Sequence, residues 1–257
     1  LPDDSIVAIY REIMSAALAL EDNLTVAYLG PEGTWTHQAA IKKFGHSIAY
    51  SSQPNFAEVF DQVARRRAHY GVVPIENSTE GAVSHTLDLF VDSHLQICAQ
   101  ILLRIDHCLL SSIDRAEIKT LYSHPQVFGQ CRNWILRNFP DADLVEVSST
   151  TKAAQLAHEN AASGAAALGG KLAAELNELD VIEESIQDRA TNTTRFLVIG
   201  EKTCPATGND RTFILFSIHD RPGSLVSALQ AFDKLNVNMS KIDSSSRGCE
   251  PDKGLGP

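Results

Sequence analysis

The chain of 257 residues has no Walker loop, no GxGxxG, no GxSxG, no HExxH and no CxxC pair, so nothing in it supports a nucleotide, zinc-hydrolase or serine-hydrolase reading. Its five cysteines, Cys98, Cys108, Cys131, Cys204 and Cys249, are odd in number and scattered. That pattern argues against a disulfide framework and for a reducing cytoplasm. No stretch reaches the roughly 18 consecutive apolar residues of a membrane span, and no basic start with an apolar core marks an export signal, so a cytoplasmic chain with no membrane partner is expected. Positive charge is in deficit, with 22 Lys and Arg against 32 Asp and Glu and a net charge of -10. The one basic cluster, Arg65, Arg66 and Arg67, reads as a solvated helix face, and no nucleic-acid partner is expected.

The apolar share of 44% and charged share of 21% are those of a globular protein with a sizeable core. Residues 3 to 21 place Ile6, Ile9, Ile13, Met14, Ala17 and Leu20 at three- and four-residue spacing behind an Asp/Ser start, which predicts an amphipathic helix. From residue 25 short β-rich runs alternate with helical periods, the pattern of an α/β protein with largely parallel sheets. The run QICAQILLRIDHCLL, residues 96–110, is too long for an ordinary strand and is expected to cross from one sheet to another. A second strand–helix series comes next, including one helix near 125–138, and the alanine-rich AASGAAALGGKLAAEL predicts tight helix and strand packing. Two α/β lobes around a cleft result. A polar connector at 201–210 then leads to a fresh strand, RTFILFSIH, and a helix opened by DRPGS.

Four loops place hydroxyl, amide or glycine groups between a strand and a helix: GPEGTWTHQAA (30–40), PIENSTEGAV (74–83), SHPQVFGQC (123–131) and TNTTRF (191–196). In the first, Gly30 and Gly33 permit close backbone approach, and Thr34 or Thr36 caps a helix whose N-terminus attracts an anion; an ordinary capped turn has the same sequence. In the second, Glu76 and Asn77 end a strand and Ser78 or Thr79 caps the next helix, with a solvated carboxylate as the plain alternative at Glu76. In the third, Ser123 and His124 precede a proline suited to a helix's first turn, with Gln130 farther along. In the fourth, the threonines supply either β-propensity or ligand contacts, and Arg195 is a candidate bidentate carboxylate anchor.

Taken in order, YLGPEGTWTHQAA, YGVVPIENSTEGAV, YSHPQVFGQC and TNTTRFLVIG resemble the prephenate dehydratase family over about residues 25 to 200. The resemblance implies a periplasmic-binding-protein-like dehydratase domain at 23–203, with one lobe at about 25–100 plus 186–200 and the other at about 101–185. Residues 1–22 resemble the last helix of the chorismate mutase domain of bifunctional relatives, and one such helix predicts no mutase activity. Residues 211–257 resemble a partial α+β ACT regulatory domain. Its DRPGSL turn offers Gly223, Ser224 and Leu225, with Asn238, as phenylalanine-binding candidates; IDSSSRG departs from the family's second motif and puts that binding in doubt.

The implied reaction is cofactor-free, metal-free conversion of prephenate to phenylpyruvate. Thr194, matching the family's essential threonine, is expected to hydrogen-bond the departing oxygen, with Glu76 as candidate proton reservoir and Asn77 and Gln130 also in the catalytic group. Arg195, Ser123, Thr34, Ser78 and Thr193 are expected to bind substrate. In a regular strand Thr194 and Arg195 face opposite ways, so both reach one cleft only if the strand begins after them. Arogenate dehydratase, a non-catalytic small-anion binding protein and a misassociating regulatory remnant are the alternatives, and a homodimer or homotetramer is expected.

Overall fold

The computed structural model describes residues 2–21, 23–79, 81–208, 210–219 and 221–243. Helix α1 (Asp3–Glu21) forms where the apolar period places it. It docks by polar groups: Ser15 is buried and its Oγ accepts from Ser47 N at 3.2 Å, while Glu12 Oε2 accepts from His46 N at 3.0 Å. Ile6, Ile9, Ile13 and Met14 remain exposed.

The chain then runs β1 (Thr25–Leu29), α2 (Trp35–Phe44), β2 (Ala49–Gln53), α3 (Phe56–Ala64), β3 (Tyr70–Asn77), β4 (Gly81–Ala82), α4 (Ser84–Val91) and β5 (Gln96–Arg104). It continues through β6 (Cys108–Ser111), β7 (Thr120–Ser123), α5 (Pro125–Gln130), α6 (Arg132–Asn138), β8 (Asp143–Glu146), α7 (Thr150–Glu159), β9 (Ala165–Gly169), α8 (Lys171–Leu176), β10 (Asp180–Glu183), β11 (Thr193–Gly200) and α9 (Ser224–Lys234). One sheet has the order β2-β1-β3-β11-β5 with β4 beside β3, and the other has the order β10-β6-β9-β7-β8.

Both sheets are buried on two faces, which is why their central strands read as near-continuous apolar runs. In the first lobe Val26, Tyr28 and Val72 face one helical layer, and Ala27, Val73 and Ile75 face the other. Alternation along the strand thus splits one run between two cores. In the second lobe β9 is buried along its whole length. Its Ala167 packs with Ala153, Ala154 and Ala157 of α7, so small side chains on both sides permit the close helix–sheet approach expected from AASGAAALGG.

Four expectations require correction. The sheets are mixed: β1 pairs in parallel with β2 and β3, but β11 is antiparallel to both β3 and β5. Residues 96–110 are two strands in different sheets, β5 and β6, broken at 105–107 where Ile105 N donates to Asn192 O at 2.9 Å and Ile186 N donates to His107 O at 3.0 Å. The helix at 125–138 divides at Cys131, where Asp188 accepts from Asn133 N and Trp134 N at 3.0 and 3.2 Å and caps α6 as a separate helix. Residues 211–219 form no strand and are exposed, because no described strand offers them a ladder partner. Residues 244–257, bearing most of IDSSSRG and Cys249, lie outside the described residues.

Candidate active site between the two lobes

The β3–β11 pairing sets the site. Thr194 lies opposite Asn77 and Arg195 opposite Glu76. Because β11 is already regular at Thr193, alternate residues point to opposite faces of the sheet. Thr194 and Asn77 share one face, and Arg195 and Glu76 share the other.

On the first face Asn77 Nδ2 donates to Thr194 Oγ1 at 2.8 Å. The orientation of that carboxamide is fixed from behind, since Asn77 Oδ1 accepts from Thr79 N at 2.8 Å and from Thr79 Oγ1 at 2.5 Å. Thr194 is buried, and its hydroxyl, having accepted from Asn77, keeps its own proton with no acceptor among the described residues. A hydroxyl held in this way is a donor awaiting an acceptor.

Two residues before Thr194, Asn192 is buried and its Nδ2 donates to Gln130 Oε1 at 3.1 Å. The same oxygen lies 2.7 Å from Nε2 of His107, which is 1% exposed. Burial holds the His107 imidazole below its ordinary value near 6.5, with the Gln130 hydrogen bond and Asp106 opposing the shift. Trp35 of α2 packs edge-on against the His107 ring, with centroids 5.5 Å apart, and lies over Gly170, where an added Cβ would stand 2.8 Å from the indole. Gly33, at φ +79°, brings the preceding loop against Thr151 and Leu176 of the second lobe. The first lobe therefore meets the second through the 30s loop, where Gly33 allows the close approach.

Three buried polar atoms around this seam, His107 Nδ1, Asn192 Oδ1 and Thr151 Oγ1, have no hydrogen-bond partner among the described residues. Buried polar groups are ordinarily paired, so these three are open to water or to a polar ligand. A cavity of about 740 Å³ adjoins the seam, lined among others by Thr79, Gln130, Arg132, Gln187, Arg189 and Asn192. The two arginines bring positive charge to an otherwise acidic chain at this point.

Of the residues expected at the site, Thr194, Asn77 and Gln130 converge, Gln130 through Asn192. The remainder are placed otherwise. Glu76 faces away from Thr194 and is held between cations: its Oε2 is 3.4 Å from Arg195 Nε and its Oε1 is 2.8 Å from Lys241 Nζ. Arg195 Nη1 donates to Gln100 Oε1 at 3.1 Å, so this guanidinium anchors the sheet's far face. Both displacements have one cause, the start of β11 before Thr194. Ser123 is fully buried and its Oγ donates to Leu168 O at 2.8 Å, joining β7 to β9. Thr34 is the N-cap of α2, accepting from His37 N at 3.4 Å and donating to Leu29 O at 3.0 Å, so the plain capped turn describes it. Ser78 Oγ accepts from Thr193 N at 2.9 Å and donates to Thr191 O at 3.2 Å, which fixes the entry to β11 and spends Ser78 and the Thr193 amide on backbone alignment.

Sequence reasoning missed His107, Asn192 and Thr79 as site residues, and Trp35 with them. Asn192 and Thr79 stood inside quoted loops among more conspicuous hydroxyls. His107 was hidden in a run read as one crossing strand, although a histidine between two strand segments was itself a signal. In the C-terminal segment, Gly223 at φ +87°, Ser224 and Leu225 help line a cavity of about 260 Å³ at the start of α9. Asn238 is exposed and does not line it.

Fold and site together define a two-lobed α/β protein whose interlobe seam combines a threonine hydroxyl held by Asn77, oriented carboxamides and two arginines. The family model described as prephenate dehydratase matches residues 26–204. The chain is 44% identical over 244 residues to the bifunctional chorismate mutase/prephenate dehydratase of Aquifex aeolicus, covering 95% of this chain and 67% of that protein. It is 37% identical to the prephenate dehydratase of Methanocaldococcus jannaschii, covering 86% of this chain and 82% of that one. The solved structure of the Arthrobacter aurescens prephenate dehydratase in complex with L-Phe superposes with a TM-score of 0.75 at 31% identity, covering 86% of this chain and 76% of that chain. The chain belongs to the prephenate dehydratase family, and its function is that of a prephenate dehydratase in phenylalanine biosynthesis. No helix among the described residues is long and apolar enough to cross a membrane.

Proposed function

We propose that the seam around Thr194 is where prephenate loses carbon dioxide and water. The bond from the ring to its carboxylate breaks, its electron pair enters the ring, and the ring hydroxyl leaves at the opposite carbon. One proton is consumed as that hydroxyl departs as water, and aromatisation drives the step. Thr194 delivers a hydrogen bond to the departing oxygen and relays the proton, because a threonine hydroxyl is too weak an acid to be the ultimate source. Asn77, held by Thr79, keeps the hydroxyl aimed, while Gln130, Asn192, Arg132 and Arg189 supply donors to the two carboxylates. Glu76 and Arg195 act behind the sheet as an ion-paired brace. The observation that carries this reading is the Asn77 to Thr194 hydrogen bond, which leaves the threonine proton for the ligand.

Prephenate is the substrate, arogenate is the competitor to compare, and no mutase turnover is expected from the single helix α1. The reading puts the chain in the cytoplasm. It divides the chain into the helix at 1–22, the dehydratase at 23–203 and an ACT-like segment from 211. In that segment L-phenylalanine is the proposed allosteric ligand, at the cavity lined by Gly223, Ser224 and Leu225. The exposed apolar side chains of Phe213, Ile214, Leu215, Phe216 and Ile218 support pairing of two or four copies. Incubation with prephenate, followed by phenylpyruvate absorbance in alkali, tests the activity. Turnover sets the reading, and tight capture of prephenate without product would replace it with a binding protein.

A further inference from the structure

We propose that Cys98 and Cys204 are a redox-sensitive dithiol site: oxidation by a small-molecule disulfide closes a bond between them that ties the connector after β11 to the edge strand β5.

Strand β5 is at the edge of the first lobe's sheet, and β11 beside it ends at Gly200, where the connector begins. Within their ladder Val198 pairs with Ala99 and Ile199 with Ile97, which leaves Cys98 as an extra residue, a β-bulge. A bulge re-aims the side chain it carries. Cys98 and Ala99, although consecutive, accordingly both pack on the core that holds Tyr70. Gly200 makes room for the sulfur, since a Cβ there would stand 2.9 Å from Cys98 Sγ and 3.1 Å from the Tyr70 ring.

The connector is pinned at the same spot. Glu201 Oε1 accepts from Arg66 Nε at 2.8 Å, and Lys202 O accepts from the Cys98 thiol at 3.1 Å. Cys204 follows two residues later, within about 7 Å of chain, and its thiol is hydrogen-bonded to that of Cys98. Both thiols are free. Sulfurs that already meet need only side-chain rotation and a small movement of the exposed connector to reach bonding geometry.

The two sulfurs are unequal. Cys204 is exposed, whereas Cys98 is half-buried, and burial, with Cys204 beside it, pushes the Cys98 thiol up to about 11. Cys204 is therefore the first to meet a solute. Its thiolate attacks one sulfur of the small disulfide, the S–S bond breaks, and one small thiol leaves. The Cys98 sulfur, having given its proton to solvent, then attacks the Cys204 sulfur and expels the second small thiol. Two protein thiols are oxidised and one disulfide is reduced to two thiols. The scarcity of Cys98 thiolate makes the second step the slow one. The new bond would lie toward the end of β5 away from Leu103, the partner of Thr194, and would grip the entry to the C-terminal segment.

The test starts from the reduced, folded chain incubated with oxidised glutathione. Remaining thiols are blocked with N-ethylmaleimide, and the protein is digested with trypsin and weighed by mass spectrometry. Trypsin places Cys98 on the peptide 68–104 and Cys204 on the peptide 203–211, with no other cysteine on either. The two peptides are expected to be joined, with two reduced glutathiones released per chain. Cys98→Ser should stop at glutathione bound to Cys204, and Cys204→Ser should leave Cys98 unmodified over the same time. Before denaturation, cleavage after Lys202 should be slower by about fivefold or more in the oxidised chain than in the reduced one. A native chain that keeps both thiols, stops at glutathione on Cys204, or joins Cys204 to Cys108, Cys131 or Cys249 would overturn the site. Equal cleavage rates would overturn the tie.

Discussion

Replacing Thr194 by valine removes one oxygen and nearly preserves shape, so its consequences divide cleanly. The buried methyl group stays packed. Asn77 Nδ2 loses its acceptor at 2.8 Å, while Asn77 Oδ1 keeps both donors from Thr79. An unsatisfied buried donor costs about 1–3 kcal/mol, and the lower end applies here because Asn77 is only partly buried. Stability should therefore fall by about 1 kcal/mol, a modest shift in melting temperature. On the proposed reading, in which the Thr194 hydroxyl meets the departing oxygen, turnover should fall far more; losing such a donor costs about 10²- to 10³-fold in kcat. Thr194→Ser retains the hydroxyl and should remain within about tenfold of native kcat, the deficit reflecting a freer rotamer. The assay is initial-rate release of phenylpyruvate at saturating prephenate, with melting curves run in parallel. A valine variant that keeps more than about a third of native kcat, or one that changes KM alone, would refute the role given to Thr194.

The same geometry sets three further outcomes. Arg195→Met should lower stability by roughly 1–2 kcal/mol, between an exposed and a buried ion pair, with KM for prephenate little changed, measured by denaturant titration and steady-state kinetics. Ser123→Ala should cost about 1 kcal/mol for the hydrogen bond to Leu168 O and leave both kinetic constants near native; a raised KM would return Ser123 to the substrate site. Burial lowers the pKa of both His107 and His37 from 6.5. Protons then bind the unfolded chain more readily, so stability is fully present above about pH 6.5 and is lost as pH falls from there toward the depressed folded values. Denaturation midpoints across pH 5 to 7.5 should show the decline, and His107→Phe should flatten part of it.

The α/β class and the two lobes were legible because strands buried on both faces must be written as continuous apolar runs, and β1, β3 and β9 are. Helix α1 was equally plain. What could not be read was pairing. Whether β11 begins at Thr193 or later depends on its ladder with β3 and β5, neither of which is adjacent in sequence, and that one register decides the fate of Arg195 and Glu76. The same limit explains Ser123, whose fitness as a ligand contact looked good until Leu168 O, 45 residues away, claimed its hydroxyl. Residues 211–219 have the composition of a strand, but composition does not supply a neighbour. At the site, hydroxyl-rich loops announced themselves, while Asn192 and His107 mattered through the hydrogen bonds they make to Gln130 from separate parts of the chain.

The chain has two tryptophans, and they occupy unlike places. Trp134 lies within the second lobe's core, its Nε1 donating to Glu183 at 2.7 Å. Trp35 belongs to one lobe and rests on the other, over Gly170 and beside the His107 ring. Any parting of the lobes must lift that indole off its seat and wet it, while Trp134 stays dry. A Trp134→Phe protein thus carries a single built-in fluorophore at the interlobe contact, and a red shift of its emission would read out cleft opening directly, without a label.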